Sequence, residues 1–465
     1  MEYTELDQYP LPDGRLTTWT PVAARGSWAP DPRPLASAHR EHCDRVDRAT
    51  DRPGRGSWIG SAFRIERPYS ADAMRTLITT WFARHEALRT TVIPTPAGWA
   101  RQTLPADAID AVPVPVTRAR TGAEARDFLT EQFETALSPL AWPHCILATL
   151  EPSSDTGSFL CIFGADHSVM DAYSQVIAIS ELRALYNDII DGTEHTTTKS
   201  YGSHLDFAAL EQKACAALDP EAPAVHAWRE FLDQHDGQFP AFAPVEPASG
   251  PVSATTGTGR QASLSRWLLA PDEAHAFNTT CRANGFSSQA GILAALALAQ
   301  ARTSGSTTFS TIMPVHTRVH ESWAESMGWF VNIVPLTLSV AHGQDLPGAL
   351  QSATRALAAT KPLALAPFAR VAELLGTTAT PRFVVSYVDI RYLPEADRMP
   401  DIQGRALRSD CYSSNEVYFW INRTPHGLNV STRYPDAPQA HQAIEAFLSE
   451  LTTVLRSAST TPVAA

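Results

Sequence analysis

The chain has 465 residues, of which 44% are hydrophobic and 18% charged, the balance of a folded globular protein and not of a disordered one. Its formal net charge of −12 comes with no long basic block, which argues against a nucleic-acid grip and against strong docking on anionic lipid. The length exceeds one core of ordinary size and predicts two domains.

Residues 1–57 are rich in Pro, Arg and Asp, show weak periodicity and read as an arm or loop. WIGSAFRIERP (58–68) alternates as a strand does. In the following stretch, 70–92, Ser70 is placed to cap a helix, and Ala73, Leu77, Trp81 and Phe82 give it an apolar stripe. A second strand–helix set covers 93–140, with GAEARDFLTEQFETAL as its helix. HCILATLE (144–151) and SFLCIFGA (158–165) read as buried strands joined by PSSDTG, and 171–190 as a helix. Residues 191–260 are polar, with one helix near 204–234 and a connection at PVEPASGPVSATTGTG.

The pattern then begins again. ASLSRWLL is a strand, PDEAHAFNTTCRANG a helix, and SSQAGILAALALAQARTS a buried helix. TTFSTIMPV, NIVPLTLSV and RFVVSYVDI (382–390) are strands. EVYFWINRTPHGLNVSTRYP is a hairpin with HG as its turn, and a last helix covers 440–456. Strands mixed with helices in both halves predict two α/β (α+β) sandwiches of similar type.

Cys43, Cys145, Cys161, Cys215, Cys281 and Cys411 form no CxxC, so neither a zinc ribbon nor a redox pair is indicated, and a reducing compartment is expected. The N-terminus carries no visible signal peptide, and GILAALALAQ is too short to span a membrane. Together these predict a cytoplasmic protein.

The chemistry centres on FLCIFGADHSVMDAYS (159–174). His167 stands just past an apolar strand, between Asp166 and Asp171. Loops at strand ends carry functional groups more often than strand interiors do, and a neutral imidazole suits proton abstraction near neutral pH. The plainer reading is a polar turn with an incidental histidine, and the local sequence alone favours it. His167 and Asp171 would supply only two metal ligands. His316 and His320 in HTRVH lack the glutamate of HExxH, so no metal is expected. There is no GxSxG and no GxxxxGK[ST]. GTGRQA (257–262) precedes a strand instead of opening a helix, so it is a loop and not a cofactor cradle.

Three stretches taken together shift this balance. RHEALRT (84–90), DHSVMDAYS (166–174) and HTRVHESWAESMGWFVNIVPL (316–336) resemble, in order and spacing, the RHexLRt, HHxxxDG and R…G.FvN..P signatures of the condensation-domain superfamily. With Tyr186 spaced after Asp171, and with FVVSYVDIR and VYFWINR, the chain is similar to the polyketide-associated acyltransferases of actinobacterial glycolipid assembly. The branch it points to acylates trehalose or sulfated trehalose.

The resemblance implies two chloramphenicol-acetyltransferase-like sandwich domains in a V arrangement with the active site in a channel between them. Their bounds are expected at 1–200 and 201–465, with a crossover segment near 315–340. It implies acyl transfer from a thioester, acyl-CoA or an acyl-phosphopantetheine carrier as co-substrate, to a hydroxyl, with no permanently bound cofactor. His167 is implied as general base, and Asp171 as a loop anchor paired with Arg318. Asp166, Tyr186, Trp329, Phe330 and Asn332 are the expected channel residues, although Trp329 and Phe330 read equally as core and Tyr186 as packing. The chain departs from the pattern at Asp166, where a His is usual, and at Ala172, where Gly is usual. A free-standing condensation enzyme acting on carrier-tethered substrates and a non-catalytic recruitment module remain alternatives. The expected partners are a small-molecule donor and acceptor or an acyl carrier protein, with at most peripheral membrane contact and no need of a partner subunit.

Overall fold

The computed structural model describes residues 2–49, 58–154, 157–193, 201–245 and 259–460. The expected connection PVEPASGPVSATTGTG lies, except at its ends, outside them, as do the last residues of the expected N-terminal arm.

A seven-stranded sheet runs in the order Tyr3–Glu5, Arg405–Arg408, Trp58–Ile65, Phe159–Asp166, Cys145–Pro152, Gly14–Ala23, Ile109–Pro115. Phe159–Asp166 lies inside it, antiparallel to both neighbours. Every residue of this strand is buried, because helices cover both faces of the sheet. Phe159, Cys161, Phe163 and Ala165 face the helices Ala71–Arg84 and Ala172–Asp191. Leu160 and Ile162 face the helix Gly122–Ala136 on the other side. Gly164 shares that second face, where an added Cβ would lie 2.8 Å from the Phe133 ring.

A six-stranded sheet is built from the second half, in the order Gln261–Leu269, Gly427–Pro435, Val417–Thr424, Phe383–Asp389, Thr308–His316, Val331–Ser339. The nearly all-apolar helix Ser288–Ser304 packs in its core with Pro438–Thr460. A three-stranded sheet, Ala29–Asp31, Gly98–Thr103 and Thr90–Thr95, completes the strands described.

Four expectations change. The N-terminal stretch is not an arm: Gly14–Ala23 is an inner strand, and Ser37–Arg48 is a helix with His39, His42, Cys43 and Val46 buried. The single helix expected near 204–234 is two, His204–Ala217 and Pro223–Asp233, parted at Asp219–Pro220 and restarted by a proline in the first turn. The hairpin turn is Pro425–His426, and Gly427 already pairs with Thr424. Arg405–Arg408, from the second half of the sequence, joins the first sheet, while Val331–Ser339 of the expected crossover segment lies in the second. The 315–340 segment reaches the first half through the loop between its strands, which carries Arg318 and Trp329.

Candidate active site

His167 follows directly on the strand Phe159–Asp166 and opens a 3-10 turn, His167–Val169. Asp166 caps that turn by accepting the Ser168 N–H at 2.8 Å. The chain extends through Met170, and Asp171 then caps the helix Ala172–Asp191 by accepting the Ser174 N–H at 2.7 Å. Ala172 is the first residue of this helix, so it takes an ordinary right-handed backbone and the missing glycine imposes no strain.

Asp171 is fully buried, and two donors reach each of its oxygens. Arg318 forms a two-pronged pair, Nη1 to Oδ2 at 2.5 Å and Nη2 to Oδ1 at 3.1 Å. The Phe330 N–H adds a bond to Oδ2 at 3.0 Å, alongside the Ser174 N–H on Oδ1. Burial pushes the Asp171 pKa up, but the guanidinium and these donors overcome it and hold the carboxylate below its usual range. Arg318 also donates to the Ser174 hydroxyl at 2.8 Å and the Ser326 carbonyl at 3.1 Å, and its guanidinium lies 4.4 Å from the Phe330 ring centre. Asp171 is thus the point where the 166–174 loop of the first half is tied to the 318–330 loop of the second.

No bond from Asp171 reaches the imidazole. Nδ1 of His167 is enclosed and makes no hydrogen bond outside its own residue, and the residue as a whole is half-buried. Trp329 covers one face of the ring, with centroids 4.1 Å apart and planes at 36°. Burial is the largest influence on His167 and lowers its pKa, and His42 adds to that. The histidine's own backbone, Asp171 and Asp166 oppose the shift without reversing it. The ring is therefore neutral at neutral pH, with a free lone pair to accept a proton.

The loop carrying Trp329 is held from below. His204 Nε2 donates to the Trp329 carbonyl at 3.1 Å, and the Ser174 hydroxyl donates to the Gly328 carbonyl at 3.1 Å. Gly328 has φ +155° and lies so close to His204 that a Cβ would come within 2.6 Å of its ring. His85 of RHEALRT is a brace of the same kind. Its Nδ1 accepts the Met327 N–H at 3.4 Å, and its Nε2 bonds Glu181 of the motif helix at 2.7 Å.

Several expected channel residues are placed elsewhere. Phe330 is fully buried among His204, Phe207, Trp323 and the Arg318 guanidinium, so it is core. Asn332 spends its amide on backbone, donating to the carbonyls of Ala364 at 3.0 Å and Ala366 at 2.8 Å and accepting from Phe368 N at 3.1 Å. Tyr186 is buried, donating to the Pro68 carbonyl and accepting from Ser70 N, both at 2.8 Å. Asp166 is buried under the turn and lines nothing. Of the group, Trp329 is the one beside His167. His316 ends its strand, and the His320 ring bonds the Ser322 hydroxyl at 2.8 Å. Among the described residues no three His, Cys, Asp or Glu side chains are grouped to hold a metal ion.

Sequence reasoning missed His42 and His204. His42 reaches the Asp166 carboxylate, with Nε2 3.1 Å from each oxygen. The available signal was the spacing His39, His42, Cys43, Val46, a helical stripe disguised by two polar residue types.

The imidazole at the strand exit is thus neutral, has an indole tilted against one face and lies beside a buried Asp–Arg tie. The chain belongs to the condensation-domain family, whose model matches residues 54–464. It is 26% identical over 335 residues to "Acyltransferase PapA3" of Mycobacterium tuberculosis, covering 70% of this chain and 69% of that one. It is 26% identical over 323 residues to "Trehalose-2-sulfate acyltransferase PapA2" of Mycobacterium tuberculosis, covering 68% and 67%. The solved "PapA2 acyl transferase" superposes over 99% of this chain and 100% of its own, with a TM-score of 0.87 at 21% identity, and shares its fold. The expected acetyltransferase-like α/β architecture is therefore the one found, and no described helix is long and apolar enough to cross a membrane.

Proposed function

We propose that this protein is an O-acyltransferase that moves a fatty acyl group from a thioester, acyl-CoA or acyl-phosphopantetheine carrier, to a hydroxyl of a sugar such as trehalose. The observation that carries the reading is the neutral His167 ring, with Nδ1 enclosed and Trp329 against one face. Nε2 takes the proton of the acceptor hydroxyl as its oxygen attacks the thioester carbonyl. The C–S bond breaks, and the imidazolium returns the proton to the leaving thiolate. Atoms and charge balance without an acyl-enzyme, and holding both substrates in one site supplies the proximity gain. The relatives named as acyltransferases, one of them for trehalose-2-sulfate, support the hydroxyl acceptor.

The test is product mass spectrometry with acyl-CoA and carrier-bound donors against trehalose, sulfated trehalose and amine acceptors. A sugar ester is expected, and His167→Ala is expected to lose about 10²–10⁴-fold in kcat. Because burial lowers the His167 pKa, the acid limb of kcat/KM should fall below the ordinary histidine value of about 6.5. An amide product, or full activity in His167→Ala, defeats the reading.

A further inference from the structure

Asp171 does not bond the His167 ring, whose hydrogen bond is to its own backbone, so two further contacts set its orientation. These are the capped turn that carries it and the Trp329 indole tilted against it. One buried imidazole from a distant helix touches both. His42, in the helix Ser37–Arg48, is 1% exposed and bonds the fully buried Asp166 carboxylate. It also meets Trp329 edge-on, with ring centres 5.9 Å apart and planes at 78°. The tautomer follows from a third residue. Arg45 Nη2 lies 2.9 Å from His42 Nδ1. A guanidinium only donates, so Nδ1 accepts and Nε2 carries the hydrogen that goes to Asp166.

The identity of residue 166 then has a physical reason. A carboxylate is acceptor-only and offers about four lone-pair sites. Asp166 can therefore take the Ser168 N–H at 2.8 Å and the His42 N–H at 3.1 Å together, the first from its own turn and the second from another helix. An amide would turn an NH₂ toward one of these donors.

We propose that Arg45, His42 and Asp166 form a positioning relay that sets the turn of His167 and the indole of Trp329 against each other. None of the three touches the reacting atoms. The proposal rests on His167 being the base, and its test separates the two ideas.

His42→Leu and Asp166→Asn remove the central bond. Each is expected to lower kcat on the order of 10²-fold, the scale of a 1 Å misplacement. KM for both substrates should stay within about threefold, the split expected when an interaction serves the transition state. His42→Gln keeps an N–H able to reach Asp166 and should recover most of the loss. Arg45 is exposed, so Arg45→Ala is a variant expected to fold, and it should lose about fivefold by freeing the tautomer.

A second readout needs no turnover, namely NMR titration of His167 in protein labelled at histidine Cε1. The charged or titratable groups acting on the ring are His42 from its helix and Asp166 and Asp171 from the motif loop. Asp166→Asn removes a charge that acts on the ring whatever the role of Asp166, so the deciding variant is His42→Leu, which keeps that charge. The relay predicts that the His167 Cε1 resonance shifts in folded His42→Leu as the turn and the indole move, whereas a His42 that merely fills space lowers Tm and leaves the resonance where it was. Folded His42→Leu with wild-type kcat, or with an unmoved His167 resonance, overturns the relay. If the unmodified protein forms no ester from any donor, the acyl-transfer reading falls while the resonance still decides the relay.

Discussion

Two buried carboxylates join the two halves of this molecule, and they do so differently. Asp171 gathers one arginine and two backbone N–H groups, which come from the first turn of the motif helix and from the 318–330 loop beside His167. Glu5, on the N-terminal strand Tyr3–Glu5, faces two arginines. Arg408 Nε donates to it at 2.8 Å, Arg433 Nε lies at 3.5 Å, and the Ser263 hydroxyl donates at 2.7 Å. Arg408 also sits 4.2 Å over the Trp420 ring. Burial acts to raise the Glu5 pKa, but the arginines outweigh it and the net shift is downward. Burial and the neighbouring Arg433 pull Arg408 down to about 10, although Glu5 opposes this. The first joint is balanced one to one and fixes a loop. The second leaves two cations on one acid and fixes strands, since Arg408 lies in the strand that pairs with Tyr3–Glu5 and Trp58–Ile65. Like chemistry therefore serves chemistry in one place and assembly in the other.

The largest effect that could break this contrast is Arg318→Ala. It leaves Asp171 buried and charged without its partner, at a cost of about 3–5 kcal/mol. Urea unfolding should show that loss, and kcat per folded molecule should fall as well, because the Ser174 hydroxyl and the Ser326 carbonyl lose the guanidinium that ties the two loops. A soluble variant with native stability and rate would mean that the pair fixes nothing.

Glu5→Gln is the matched change at the other joint. The amide still reaches Arg408 and Ser263 but cancels no charge, so about 1–3 kcal/mol should be lost. Here kcat per folded molecule should be unchanged. The pH dependence has a definite sign. With its folded pKa below its unfolded value, Glu5 stabilises the protein above about pH 4.5 and loses that contribution as pH falls through the folded value. Glu5→Gln should therefore flatten the acid side of a stability–pH curve. A fall in kcat that tracks the fall in stability would show that the strand joint also sets the site.

The contrast also explains what could be read from the sequence. Asp171 and Arg318 lie in short motifs whose resemblance to a known family implied their pairing. The apolar strand that delivers His167 was legible from its composition, whereas the part of Ser174 was not foreseen. Nor was Gly14–Ala23, because Pro21 argues against a central strand. The structure resolves this: pairing with Cys145–Pro152 ends at Trp19, so Pro21 sits where the strand has only one neighbour. Arg405–Arg408 is four residues long and pairs with partners hundreds of positions away, so no local pattern announces it. The His42–Asp166 bond spans a sequence separation of 124. The Asp171–Arg318 pair is separated by 147 positions, so distance alone does not decide legibility: what was illegible lies outside the recognisable motifs.

Tyr186→Phe gives the smallest expected effect and sharpens the boundary between the two kinds of region. Tyr186 lies on the motif helix, and a place in the substrate channel was one reading of it. Its hydroxyl instead bonds Pro68 and Ser70, at the start of the helix Ala71–Arg84, and its ring meets Phe159 edge-on at 5.1 Å. Removing the hydroxyl strands a carbonyl and an N–H, and about 1–2 kcal/mol should go. Thermal unfolding should register this, with kcat and KM unchanged, because the lost bonds hold two helices together toward the end of the motif helix away from Arg318. A raised KM for the acyl donor at unaltered Tm would return Tyr186 to the channel. It would also mean that the motif helix serves the substrate along its length, and not only through the end that Asp171 caps.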